Sequence, residues 1–389
     1  MSEELPLIRQ ITRGPKFHWF GYYDKLQFDP SCQKVLGMEV DFEHRSPLPE
    51  DAINVGMVDL AAGDSWTKLG ETRAWCWQQG CMLQWRPGSD TEILWNDRDG
   101  DRFVCHQLDI ESGRRRINSH PVYTVSPDGK TAVTPDFRRI QDMRPGYGYA
   151  GLPDPNADIL APEDSGIWGV DLDTGEAELV VTIAEVARIP YPHADLSEAK
   201  HYFNHLLFNT EGSRFIFLHR WRFGDGGFNT RMMTAAPDGS DVRVVDDFGR
   251  TSHFIWRDAE HILAWSYHPS HESKFYLYTD GSREVEVVGD GVMEVNGHCT
   301  YLPGGEWVLN DTYPLGDERI QQLYLYHVPT DRRFELGDFP APDEYSGEWR
   351  CDLHPRFSPD SKSVVIDSTH SGESRQMYLL DIGGITGGH

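Results

Sequence analysis

An internal repeat constrains this chain more than any other feature. A strand of alternating apolar residues, a turn of the SPDG type and a second β-rich run recur seven times. The first-strand members read LQFDPSC (26–32), LQWRPGS (83–89), YTVSPDG (123–129), LLFNTEG (206–212), FIWRDAE (254–260), CTYLPGG (299–305) and PRFSPDS (355–361). Later strands close on turns such as DLAAG, DIESG and DLDTG, where Asp and Gly supply the side-chain hydrogen bonds and positive φ that tight turns need. Seven units of roughly 40 to 55 residues match the period of four-stranded propeller blades. The expectation is an all-β, seven-bladed β-propeller filling 1–389 as one domain. Its blades start near 24, 81, 122, 205, 253, 298 and 354. The seventh unit offers three strands, so LPLIRQITR at the N-terminus is expected to add the fourth and close the ring, removing exposed sheet edges. A Pro- and Gly-rich insertion at about 136–165 reads as a surface loop.

Charge and cysteine usage narrow the function classes. The formal net charge is −26, a field that repels nucleic acid and anionic lipid, both of which are bound through Lys/Arg patches. Long polyanions are disfavoured as well, while a short anion in one locally basic pocket is not. No run approaches the roughly 18 apolar residues of a membrane helix, and the acidic N-terminus lacks the pattern of a signal peptide. A cytoplasmic location is expected. The six cysteines are scattered, with no CxxC pair, and read as reduced thiols. No amphipathic helix or apolar arm points to an oligomer, and the oligomeric state stays open.

Function enters through the repeat register. Stepping back seven residues from the turn of each first hairpin gives Asp24, Cys81, Val122, His205, His253, His298 and His354. Equivalent positions on adjacent inner strands point into one channel mouth, so four imidazoles from consecutive blades are expected to converge. Imidazole titrates near neutrality and binds transition metals, so such a cluster can supply both a base and a cation site. Around it the sequence offers His18, Tyr22, Tyr23, Asp24 and Lys25 in FHWFGYYDK, then His219, Arg220, Arg222 and Arg231 in blade four, and Arg350 and Asp352 before His354.

These residues resemble the oligogalacturonate lyases, seven-bladed propellers that cleave short uronides by β-elimination with a divalent metal. The resemblance is one of arrangement. It is carried by the HxxxxYxK pattern of His18, Tyr23 and Lys25, by TRMMTAAPDG (230–239), SHFIW (252–256) and NGHCTYLPGG (296–305), and by CDLHPRFSPD (351–360). It implies His253 as the catalytic base, Arg231 as the arginine that assists it, and His298 and His354 as metal ligands. The family's HPHPSF reads DLHPRF here, so Asp352 stands in place of a ligand histidine, and the upstream glutamine falls at Trp349 or Arg350. The implied cofactor is a divalent metal, Mn²⁺ first, with Ca²⁺, Mg²⁺ or Zn²⁺ as alternatives. The implied partner is a small oligosaccharide, with His18, His205, Arg220, Arg222 and Arg350 as candidates for binding it. Tyr23, Lys25 or water would protonate the leaving oxygen.

Two other readings compete. A glycoside hydrolase on the same scaffold would need two opposed carboxyl groups, and Asp24, Asp311 and Glu348 are the acids to watch. A non-catalytic propeller binding a glycan or protein would leave four histidines in register unexplained, and the blade-by-blade repetition of GH and WD dipeptides that marks interaction propellers is missing from the sequence.

Overall fold

A computed structural model describes residues 5–372 and 374–387. Among these, the chain folds into seven antiparallel four-stranded sheets, the blades of a β-propeller. Six blades are continuous in sequence, spanning 17–72, 84–118, 124–182, 200–249, 254–287 and 300–340. The last contains Arg356–Phe357, Ser363–Ser368 and Gln376–Asp381, and its outermost strand is Ile8–Gln10, with Ile8 opposite Leu380 and Gln10 opposite Tyr378. The first and last blades also meet directly, where the His18 amide donates to the Arg375 carbonyl at 3.0 Å. No helix among the described residues is long and apolar enough to cross a membrane. All six cysteines are free. Burial raises most of their thiols, that of Cys76 to about 12, which keeps them protonated.

The blades bury their large side chains against one another. Trp19, Trp75, Trp77, Trp85, Trp95 and Trp221 are among the largest fully buried residues. Four inner strands are only two residues long: Gln84–Trp85, Thr124–Val125, Thr300–Tyr301 and Arg356–Phe357. The register residues Cys81, Val122, His298 and His354 sit in the segments just before these strands. Blade four reaches the same result differently. Its inner strand Lys200–Phe208 slips register between Asn204 and Leu206, leaving His205 unpaired at φ +51°. A bulge of this kind re-aims one side chain without ending the strand. His354 also has a left-handed backbone, at φ +42°.

The insertion after residue 135 is not a plain surface loop. Asp136 caps the helix Phe137–Met143 by accepting from the Arg138 amide, and Tyr147 and Tyr149 are buried. Its anchor is Arg139, which is 1% exposed. This guanidinium donates to Asp154 and to the carbonyls of Asn156, Ile159, Leu160 and His201, at 2.8 to 3.0 Å. Proline and glycine in the insertion marked irregular backbone correctly, but the burial of one arginine against five acceptors had no composition signal.

Removing that arginine would strand a buried carboxylate and four carbonyls. Arg139→Ala is expected to cost about 3 kcal/mol or more of stability, read as a lowered urea midpoint. A midpoint equal to the parent's would contradict the anchoring role.

Candidate functional site

The centre of the channel mouth is built around one carboxylate. Asp311 is fully buried at the end of the strand Trp307–Asp311. It accepts from the His298 amide at 2.7 Å, from His298 Nδ1 at 2.9 Å and from the His354 amide at 3.1 Å. With Nδ1 committed as a donor, His298 turns its bare Nε2 outward. Gly297 makes this approach possible, since a Cβ there would lie 1.7 Å from the Asp311 carbonyl oxygen. The His354 Nε2 is buried and has no hydrogen-bond partner. One ligand atom from each of His298, His354 and Asp352 falls within 4.8 Å of the others, so these three residues can hold a metal ion. Bare imidazole nitrogens beside a carboxylate oxygen are a donor set that fits a divalent cation. Arg350 borders this trio, donating from Nε to Asp352 at 2.8 Å and from Nη2 to the Tyr147 hydroxyl at 2.7 Å.

His253 adjoins the trio, its ring centroid 4.2 Å from that of His298. The His298 and His354 centroids are also 4.2 Å apart. His253 Nδ1 donates to Asn296 Oδ1 at 3.0 Å, and the Asn296 amide is itself oriented by donating to Ser252 at 3.3 Å. The base lone pair is therefore on Nε2, which receives the Tyr313 hydroxyl at 3.3 Å. Burial, with His298, Arg220 and Arg350 adding to it, holds His253 well below the usual histidine range. At neutral pH it is uncharged and able to accept a proton. His205 completes the four. It stacks on Tyr22 at 5.1 Å and is held at Nδ1 by Gln79 and Tyr123, at 3.0 and 3.2 Å. Tyr22 in turn lies 5.3 Å from His354, so all four register histidines surround one tyrosine pair.

A cavity of about 240 Å³ opens beside His205 and His253, lined also by Arg144, Tyr147, Arg220, Phe228, Arg250 and Tyr313. Its lining contains no carboxylate. Arg220 is 3% exposed, yet its Nη1 has no partner. Burial lowers its pKa to about 10, with Arg144 contributing, so it remains cationic at neutral pH. Arg144 likewise has a buried Nη1 without a partner, and its guanidinium lies over Tyr147 and Phe228 at 3.7 and 4.7 Å. A buried guanidinium short of acceptors, in a protein of net charge −26, marks a place for an anion.

Several sequence candidates lie elsewhere or are committed. Arg231 pairs across the strands with His219, whereas Arg220 pairs with Thr230. Successive residues of a strand face opposite sides, so Arg231 points away from the cavity that Arg220 lines. It is fully buried and donates to His219 Nδ1 and to the carbonyls of Val186, Ile189 and Pro190. Its geometry is that of a scaffold residue, not of one that touches substrate. His18 sits between blades, bonded to Gln376 at 3.0 Å and near Glu39 at 3.4 Å, outside the cavity. Lys25 forms a buried 2.6 Å pair with Asp24 and lines a separate cavity. Tyr23 belongs to the cluster, but its hydroxyl donates to the Phe254 carbonyl at 2.7 Å and accepts from the Phe254 amide. Neither is a free acid. Arg222 is half-buried at the end of its strand and reaches the Asp142 carbonyl rather than the cavity. The residues that sequence reasoning missed are Tyr313, Asn296, Arg144 and Tyr147. Asn296 stands two residues before a register histidine, a usable signal. The other three arrive from loops with no register to count.

No protein-family profile and no curated protein sequence matches the chain. Solved structures do. An oligogalacturonate lyase from Vibrio parahaemolyticus superposes with a TM-score of 0.69 at 16% identity, over 96% of this chain and 93% of that one. An oligogalacturonate lyase in complex with manganese gives 0.68 at 14% identity, over 97% and 93%. The tricorn protease matches at 0.50 and 14% identity, over 92% of this chain but 33% of its own. At such identities the likeness establishes a shared propeller fold and a distant resemblance to the lyases.

The buried histidines make stability depend on pH. His201 is lowered to about 4 by burial, and His205 and His219 lie well below 6.5 for the same first reason. Below 6.5 the unfolded chain binds protons that the folded chain refuses. The stability these groups contribute is thus intact above 6.5 and lost as pH falls, down through about 4 for His201. Each adds a slope of up to roughly 1.4 kcal/mol per pH unit. The urea midpoint should fall steadily from about pH 6.5 towards pH 4.5, and a flat profile over that range would exclude the effect.

Proposed function

We propose that this chain is a carbon–oxygen lyase that cleaves short uronic-acid-containing oligosaccharides by β-elimination. One observation carries the reading. A neutral histidine presents a bare Nε2 to a small cavity that is rich in arginine and free of carboxylates. Cleavage beside a uronate requires removal of the C5 proton, and the adjacent carboxylate's charge opposes it. Arg220, whose buried Nη1 lacks an acceptor, binds that carboxylate and offsets its charge. His253 Nε2 takes the C5 proton, the electron pair forms the C4–C5 double bond, and the C4–O4 bond breaks. Asn296 keeps the His253 proton on Nδ1, so the base stays correctly oriented.

His298, His354 and Asp352 are the residues that would hold a divalent cation. When bound there, it would add positive charge opposite the uronate. The mixed nitrogen and oxygen donors suit Mn²⁺, with Mg²⁺, Ca²⁺ and Zn²⁺ compatible. The fold likeness to a manganese-bound oligogalacturonate lyase supports both parts of the reading. Hydrolysis is disfavoured because its two carboxyl groups have no candidates in the cavity. Asp24 is paired with Lys25, Asp311 is consumed by His298 and His354, and Glu348 bonds Ser46.

The deciding experiment is ultraviolet absorbance of a panel of short uronides mixed with the protein, with and without a chelator. The expected result is a rise in the conjugated-uronate band, lost on chelation and restored by Mn²⁺. A rise that ignores chelation would retain elimination and remove the metal, and no rise on any uronide would overturn the proposal. His253→Gln should lower kcat by about 100-fold or more. Asp311→Asn, which weakens the hold on His298, should reduce Mn²⁺ affinity by about 10- to 100-fold in a calorimetric titration.

A further inference from the structure

The elimination reading leaves open where the leaving oxygen finds its proton and on which face of the sugar. The cavity restricts both. The Tyr313 hydroxyl lies 3.3 Å from His253 Nε2 and makes no other hydrogen bond among the described residues, unlike that of Tyr23. Its ring packs beside both the His253 and His298 rings, at centroid distances of 5.8 and 5.5 Å, and it lines the same cavity. Base and donor thus stand side by side. Two groups that reach opposite faces of a pyranose would be separated by about 6 Å, two hydrogen-bond reaches of about 3 Å each. A spacing of 3.3 Å fits substituents on neighbouring ring carbons that point the same way.

We propose that Tyr313 is the general acid of a syn elimination, so that the substrate is a 4-linked uronide with O4 and H5 on one face of the ring. This rests on the elimination reading and deepens it. In gluco- and manno-configured D-uronates H5 and O4 share a face, whereas in galacturonate they are on opposite faces. The substrate class is therefore a glucuronoside or mannuronoside, and a galacturonoside is rejected despite the fold likeness. The proton inventory closes without solvent. His253 Nε2 takes H5, the C5–H electrons become the C4–C5 π bond, and the C4–O4 electrons leave with O4. That oxygen takes the proton of Tyr313. The phenolate then recovers a proton from the neighbouring imidazolium of His253, and both groups return to their starting states.

The test uses a matched pair of disaccharides that differ only at C4 of the uronate, one glucuronate and one galacturonate, each carrying the same sugar on O4. The glucuronate compound should form unsaturated product at least about 100-fold faster. Preference for the galacturonate epimer, above all if its turnover survives Tyr313→Phe and fails in Tyr147→Phe, overturns syn geometry while leaving elimination standing. Product from neither epimer overturns both readings. A second measurement isolates the acid. Tyr313→Phe should lower kcat on the glucuronate disaccharide by about 100-fold with little change in KM. On a 4-deoxy-4-fluoro uronide, where fluoride departs without a proton, the same variant should match the parent. Equal losses on both substrates, or no loss on either, would remove Tyr313 from the role of acid.

Discussion

The site depends on the triple acceptance of hydrogen bonds by Asp311. One buried carboxylate fixes the His298 ring through Nδ1 and holds the backbone of both His298 and His354, which lie on different blades. An unpaired carboxylate at that depth would be costly, and three charge-assisted donors stabilise it. The same bonds set the His298 tautomer, stitch blade six to blade seven and aim two imidazoles at one point. Around this pivot Asp367, paired in the interior with Arg356, accepts the amides of Phe20 and Gly21 and so seats the loop that carries Tyr22 and Tyr23. The channel mouth is thus a polar network held by buried carboxylates, with the His354 Nε2 left unpaired within it.

Local and global electrostatics point in opposite directions. The chain is strongly acidic, yet the cavity gathers Arg144, Arg220 and Arg250 with Arg350 behind them. Aromatic faces hold Arg144 and Arg220 where carboxylates would neutralise them, while Arg350 is paired with Asp352. Arg144 lies over Tyr147 and Phe228, and Arg220 over Phe228. A guanidinium held this way keeps its charge and its spare donors for a ligand. The acidic exterior discourages long polyanions, while the enclosed cavity favours one short anion whose charge is met at a few points.

The fold and the histidine cluster were legible because a propeller repeats its register. Counting back from a turn residue finds the equivalent position on each blade, and His205, His253, His298 and His354 do meet. Legibility ended where side-chain direction was decided by alternation within a strand. Arg220 and Arg231 lie on neighbouring strands of one blade, and only the pairing of Arg231 with His219 shows which faces the cavity. It ended again at loops. Tyr313 follows its strand by two residues, and Tyr147 comes from an insertion whose proline and glycine content said nothing about the buried Arg139 that holds it in place. His18 and Lys25 matched a motif, yet each found a nearby partner, Gln376 and Asp24, that removes it from the cavity.

The missing carboxylates carry as much chemical weight as the histidines present. A hydrolytic site needs an acid and a base of the same kind with pKa values pushed apart, which a cavity lined with arginines would defeat by lowering both. Those same arginines suit a reaction whose difficulty is negative charge on carbon next to a carboxylate. Burial first, then His298, and then Arg220 and Arg350 lower His253, and a base that is already neutral needs no prior deprotonation. The cost is a weaker base. In the proposed elimination, cation stabilisation of the carbanion would offset that loss, because a more acidic C5 proton requires less basicity to remove. Under that proposal, base strength and substrate activation would be coupled through the same guanidinium groups.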